Sequence, residues 1–394
     1  MKRIAPHTAA VVMAFCSMFA STPVRAQKID STKVRTSGGE SYRVVETARL
    51  GEVIWGIDLV PDGRLVVSLR NGEMRIITIG ATSKVETITG VPAVAAAGQG
   101  GLLDVRVSPT FASDQRIFIS YAKTTGKGEA TTALASAKLV GTKLEDVREL
   151  FVALPSGDSK IHFGSRIEFG PDDTIFLSVG DRNERHDAQK LTSHLGKVLR
   201  LTRDGKPAAG NPFAAQKDAR PEIWTYGHRN PQGLATRPGT NEIWEAEFGP
   251  RGGDEINHLV AGANYGWPVV TFGREYWGPK IGEGTKKAGM TDPIEHWTPS
   301  ISPSAIAFHS GTNFAKWNGS LFLANLSGSH VRRLTLSDSA GTTAKDKAEA
   351  KPVRISSQEV MLDDLDLRFR SIRVAPDGTI HLGTDQGLLL RIER

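Results

Sequence analysis

The 394-residue sequence predicts an all-β protein, a six-bladed β-propeller, and three observations carry that expectation. A unit of tight turn plus short apolar strand returns six times; the strands run four to six residues between Gly, Pro and Asp; no sustained helical period is present.

Taken in order, Pro61-Asp62-Gly63 precedes Leu65 to Ser68, Ser108-Pro109 precedes Ile117 to Tyr121, and Pro171-Asp172-Asp173 precedes Ile175 to Val179. Pro238-Gly239 then precedes Ile243-Trp244, Trp317-Asn318-Gly319 precedes Leu321 to Ala324, and Pro376-Asp377-Gly378 precedes Ile380 to Gly383. Successive turns lie 48, 62, 67, 79 and 59 residues apart, which suits blades of four strands with loops of varying length. A β-sandwich would also use short strands, but it does not require a returning turn–strand unit. In a propeller the inner strands and top loops converge on the axis, so residues far apart in sequence can meet in one pocket.

The first residues carry Lys2 and Arg3, an apolar run from Thr8 to Ala20, and then Val24 and Ala26 in the two positions a signal peptidase reads. This pattern predicts a signal peptide over residues 1–26, export to the periplasm or beyond, and a single propeller domain over residues 27–394. A membrane anchor is the alternative, but the apolar run is shorter than the ~20 residues of a spanning helix. Cys16, the one cysteine, lies in this segment, so the mature chain has no disulfide or cysteine metal site. Without Lys2, Arg3 and Arg25 the chain keeps 46 basic against 43 acidic residues, too mild a balance to argue for nucleic acid. The Ala-, Lys- and Asp-rich stretch from Ser337 to Lys351 reads as a surface loop.

Four segments are too rich in Gly, His, Arg and Asn to be ordinary blade. They are Gly98 to Leu103, His162 to Arg166, the run YGHRNPQGL from Tyr226 to Leu234, and the run FGPRGGDEINHLVAGANYGW from Phe248 to Trp267. His162 alone reads first as a structural hydrogen-bonder; its semi-apolar setting would also keep imidazole neutral and able to accept a proton. Arg229 alone could make a surface salt bridge. Arg368 and Arg370 project to one face of a strand, where they need an anion or carboxylates such as Asp363, Asp364 or Asp366 between them. Asp254 and Glu255 could be a solvated turn, with no EF-hand spacing.

Together with Trp297-Thr298-Pro299-Ser300 and Arg368-Phe369-Arg370, these segments resemble the soluble PQQ-dependent glucose and aldose sugar dehydrogenase family, from about Trp55 to the end of the chain. The resemblance implies oxidation of an aldose at its anomeric carbon to a lactone. His162 would be the general base and Arg229 would stabilise charge on the quinone. Electrons would pass to an external acceptor. PQQ is a flat tricarboxylate with an orthoquinone, which suits fixed cationic donors. Its implied neighbours are Gln99, Arg229, Asn230, Tyr276, Asn325, Leu326, Ser327, Arg368, Phe369 and Arg370, with Gln232 a weaker candidate and His228 structural. Gln99 and Asp254 match the sugar-facing side. Oxygen donors without clustered His or Cys suit Ca²⁺. By resemblance the carbonyls of Gly249 and Pro250 hold one calcium ion, and Glu255 with the Tyr265 carbonyl a second.

Two positions depart from the family pattern: Phe248, where relatives often have Gln or His, and Ser327, where many have Lys. Losing that Lys removes one positive charge from the cofactor's surroundings. Two rival functions remain at this stage, a calcium-stabilised binding propeller without catalysis and a propeller lactonase or hydrolase. The latter chemistry wants several carboxylates on an axial metal, whereas this sequence gathers arginines.

Overall fold

The computed structural model describes residues 28–337 and 353–394; the expected signal peptide, and all but Ser337 of the expected surface loop, lie outside the described residues. Six antiparallel sheets carry almost all of the regular structure. Blade 1 comprises Ile54–Leu59, Leu65–Leu69, Met74–Thr78 and Lys84–Ile88, and blade 2 Leu102–Val107, Arg116–Thr124, Ala130–Val140 and Lys143–Val152. Blade 3 comprises Ile167–Phe169, Ile175–Val179, Lys197–Leu201 and Ile223–Tyr226, and blade 4 Pro231–Thr236, Ile243–Glu247, Asp254–Leu259 and Glu295–Trp297. Blade 5 comprises Pro303–Phe308, Leu321–Asn325, Val331–Ser337 and Arg354–Met361. Blade 6 takes Phe369–Val374, Ile380–Thr384 and Leu388–Glu393 from the C-terminal part, and Glu40–Arg49 and Arg35–Ser37 from the N-terminal part. The first strand of each blade packs against that of the next, and blade 6 returns to blade 1, which closes the ring.

All six strands expected from the repeat are the second strands of their blades, and each preceding turn joins a first strand to a second. Those strands are buried on both faces, which is why they read as unbroken apolar runs. Gly63, Asp173, Gly239, Gly319 and Gly378 take positive φ in these turns, which Gly and Asp tolerate. In blade 2 a four-residue helix, Phe111–Asp114, replaces the tight turn. The outer strands of blade 2 run nine to eleven residues, beyond the expected four to six, because the rim is free of the crowding at the axis.

A separate apolar cluster fills each blade-to-blade interface, such as Phe314, Trp317, Phe322, Phe369 and Leu390 between blades 5 and 6. Serine hydroxyls add latches: Ser68, Ser120, Ser178, Ser304 and Ser371 each donate to a backbone carbonyl of the next blade or of the loop entering it. The loops entering each first strand and leaving each second strand gather on one face of the ring. That face holds the four unusual segments.

Candidate active site

His162 lies in the loop from blade 2 to blade 3, with its backbone held in the left-handed region at φ 55°. A non-glycine residue keeps that conformation only where its surroundings fix it. Here the Gln99 side-chain oxygen accepts from the His162 amide at 2.8 Å. Arg182 donates to the carbonyls of Ile161 and Ser159 and lies 3.4 Å from the Phe163 ring centroid. Gly180 has to lack a side chain, because a Cβ there would overlap the His162 carbonyl.

The His162 ring places Nδ1 2.7 Å from Asp181 Oδ1, and Asp181 Oδ2 accepts the Trp267 indole N–H at 2.8 Å. Burial works to raise the Asp181 carboxyl, but the His162 hydrogen bond and the nearby positive charges outweigh it and hold the group below the usual carboxylate range. An ionised carboxylate only accepts, so Nδ1 carries the proton and Nε2 keeps its lone pair. Burial pushes the His162 pKa down; Asp181 opposes that shift and Arg229 adds to it. The ring is therefore neutral near pH 7, the state a proton acceptor needs.

His162 lines a cleft of about 710 Å³ together with Gln99, Arg229, Asn230, Phe248, Gly249, Pro250, Tyr276 and Ser327. Arg229 and Asn230 stand at the entry to blade 4, and the Gly249-Pro250 turn follows its second strand. The Arg229 guanidinium donates to the carbonyls of Phe248 and Gly249 at 3.1 and 2.8 Å. The Asn230 side-chain oxygen accepts from the Gly164 amide at 3.1 Å, while its NH₂ has no partner among the described residues. Tyr276 is 66% exposed at the rim.

A second cavity of about 340 Å³ adjoins the cleft and shares Gln99, Phe248, Tyr276 and Ser302 with it; Arg70, Gln232, Arg368, Arg370 and Asp385 form the rest of its polar wall, and Trp55, Phe163 and Leu326 its remaining apolar lining. The arginine pair does face one way, but its carboxylate partner is Asp385, not Asp363, Asp364 or Asp366. Arg370 reaches Asp385 through two nitrogens at 2.8 and 3.1 Å and Arg368 through one at 3.0 Å. Burial works to raise Asp385, but the two guanidiniums outweigh it and the carboxyl stays ionised.

Three expected site residues lie behind these walls. Asp254 is fully buried and accepts from the Gly249 amide, the Ser300 hydroxyl and the amides of Ile301 and Ser302, so it braces the cleft instead of facing a ligand. Phe369 alternates away from Arg368 and Arg370 into the core between blades 5 and 6. Asn325 spends its NH₂ on the carbonyls of Leu323 and His330.

Beneath the cleft, Glu245, Glu247 and Glu255 are buried together beside His228. The His228 ring is occupied by Thr225 and Glu247 at 2.9 and 3.2 Å, in keeping with a structural role. Burial, with the charge of Glu247, pushes Glu245 and Glu255 well above the usual carboxylate range. One Glu245 oxygen and the Asn257 side-chain oxygen have no partner among the described residues. A void of about 10 Å³, bordered by Glu247, Glu255 and Tyr265, opens among these groups.

Asp181, Trp267, Asp385 and Glu247 were not expected from the sequence. Asp181 had a signal, the polar run Gly180-Asp181-Arg182-Asn183 directly after an apolar strand. Asp385 had none, as a lone carboxylate just past a second strand, and nothing in the sequence told Glu247 apart from the nearby Glu242 and Glu245.

The family model for glucose/sorbosone dehydrogenases matches residues 52–391. The aldose sugar dehydrogenase YliI of Escherichia coli is 37% identical over 345 residues, 86% of this chain and 89% of that one. The solved apo-form of the soluble aldose sugar dehydrogenase of Escherichia coli superposes with a TM-score of 0.81 at 35% identity, covering 89% of this chain and 99% of that one. A PQQ-bound aldose sugar dehydrogenase from Streptomyces coelicolor superposes with a TM-score of 0.71 at 27% identity, covering 89% and 98%. With the propeller, the His162–Asp181 pair and these likenesses in view, the chain belongs to the glucose/sorbosone dehydrogenase family and is an oxidoreductase acting on sugars.

Proposed function

We propose that this protein oxidises aldoses at the anomeric carbon to lactones with PQQ and calcium, in an exported compartment, and passes the electrons to an external acceptor. The observation that carries the reading is a neutral, carboxylate-oriented His162 opening onto a cleft that adjoins an arginine-walled cavity. PQQ fits that cavity chemically: Arg368 and Arg370 suit its carboxylates, and the unpartnered Asn230 NH₂ suits a carbonyl oxygen. When bound, PQQ would supply an orthoquinone able to accept hydride. His162 Nε2 would take the proton of the anomeric hydroxyl, Asp181 would hold the resulting imidazolium, and Arg229 would stand where negative charge develops. Loss of that proton and of hydride from the anomeric carbon turns the cyclic hemiacetal into a lactone.

Calcium fits two places differently. The buried Glu247 and Glu255, with Tyr265 bordering the same void, gather negative charge that a divalent cation would relieve. The Gly249 and Pro250 carbonyls are neutral, and Gly249 already accepts from Arg229, so a cation there needs an anionic ligand in the cleft. Calorimetry should accordingly find one calcium site in the cofactor-free protein and a second only with PQQ present; two sites without PQQ would refute this ordering.

The activity test is dye reduction by a panel of aldoses after adding PQQ and Ca²⁺ to the mature protein, with lactone hydrolysis assayed alongside. No reduction at saturating PQQ sinks the proposal. Replacing His162 by Ala should lower kcat by about 10²–10⁴-fold while PQQ still binds.

A further inference from the structure

The wall of the central cavity holds a guanidinium that the sequence motifs do not explain. Arg70 follows the second strand of blade 1, and its backbone is fixed: its amide donates to the Val53 carbonyl at 3.1 Å and its carbonyl accepts from the Leu102 amide at 3.2 Å. Gly101 makes that approach possible, since a Cβ there would overlap the Arg70 carbonyl and crowd its Cγ. The Gly98 to Leu103 segment thus has a use beyond Gln99, the seating of Arg70. The half-buried Arg70 side chain has no hydrogen bond or ion pair among the described residues.

Arg70 therefore joins Arg368 and Arg370 in one cavity, and the lining offers a single carboxylate, Asp385, already held by the other two arginines. Three guanidiniums against one carboxylate leave a wall with two uncompensated positive charges. Like charges held together on a partly desolvated wall repel, and the arrangement becomes favourable only when an anion enters. We propose that Arg70 is a third cofactor-binding arginine, pairing with a carboxylate of PQQ from the blade 1 side while Arg368 and Arg370 act from blade 6. The proposal rests on the PQQ reading above. It also supplies a positive charge beside the adjoining cleft, which carries Ser327 after the second strand of blade 5.

The test is a titration of the cofactor-free, calcium-supplemented protein with PQQ, followed by quenching of tryptophan fluorescence, with thermal unfolding of the same samples before PQQ is added. Arg70→Ala and Arg70→Gln should bind PQQ about tenfold or more weakly, and with a shallower dependence on salt, whereas Arg70→Lys recovers part of the loss. The unfolding temperature of the cofactor-free variants should be unchanged or higher, because a repelling charge has gone. PQQ affinity within twofold of wild type in Arg70→Ala overturns the assignment. So does a lower unfolding temperature with unchanged affinity, which would make Arg70 a structural residue. Wild-type protein that takes up no PQQ overturns the cofactor reading together with this one.

Discussion

His162 illustrates how much a single residue depends on its partners. Its backbone strain, tautomer and protonation state are set by Gln99, Arg182 and Asp181, none of which touches it in sequence. The opposing influences on its pKa give a signed prediction. Asp181 raises the His162 pKa and Arg229 lowers it. A general base works only when unprotonated, so kcat falls as pH drops through the pKa of the base. Asp181→Asn removes the group that favours imidazolium, and its acidic limb should move to lower pH. The amide can also stabilise the wrong tautomer, so kcat should drop by about 10²–10⁴-fold. Arg229→Gln should move the limb the other way, to higher pH. Dye-coupled kcat measured between about pH 4 and 9 reads both shifts; an upward shift in Asp181→Asn would remove the pairing from the mechanism.

At the scale of elements, legibility follows burial. The second strands were readable because both of their faces are buried. The fourth strands Lys84–Ile88, Lys143–Val152 and Arg354–Met361 lie exposed on the rim and carry no such pattern. The site's loops were legible as unusual composition, but composition could not say which of their residues face inward. Asp254 looks like a ligand in sequence and is a brace in the fold, because four donors converge on it from two segments. Gly180 is the converse, a residue without chemistry whose missing Cβ admits the His162 loop. Gly180→Ala should therefore cost kcat at least about tenfold by displacing the base, since misplacements near 1 Å cost up to about a hundredfold. The unfolding temperature should drop by only a few degrees. Wild-type kcat in this variant would show that the loop can yield without moving the base.

Across the whole molecule, Arg166 acts as an axial hub. From the entry to blade 3 it reaches Asp104 of blade 2 at 2.9 Å, the Gln232 carbonyl of blade 4 at 2.8 Å and the Ser304 carbonyl of blade 5 at 2.8 Å. Its guanidinium carbon also stands 4.3 Å from the Trp55 ring centroid, beside blade 1. Arg166→Met leaves Asp104 buried without its cation, and urea unfolding should show a loss of about 3–5 kcal/mol, the cost of breaking a buried ion pair from one side. A loss under about 1 kcal/mol would mean that the axis is held by the blade interfaces alone. By itself the sequence determined the blade count, the second strands and the segments that carry chemistry, because turn residues and doubly buried apolar runs are local features. Only the tertiary structure decided that Asp181 orients the base, that Asp385 holds the arginine pair, that Asp254, Asn325 and Phe369 stand behind the walls, and that Arg70 stands in one. The carboxylate pairings are contacts across a hairpin, set by strand register, and the shared walls are contacts between loops of different blades, which exist only once closure of the ring brings its top loops to a common axis.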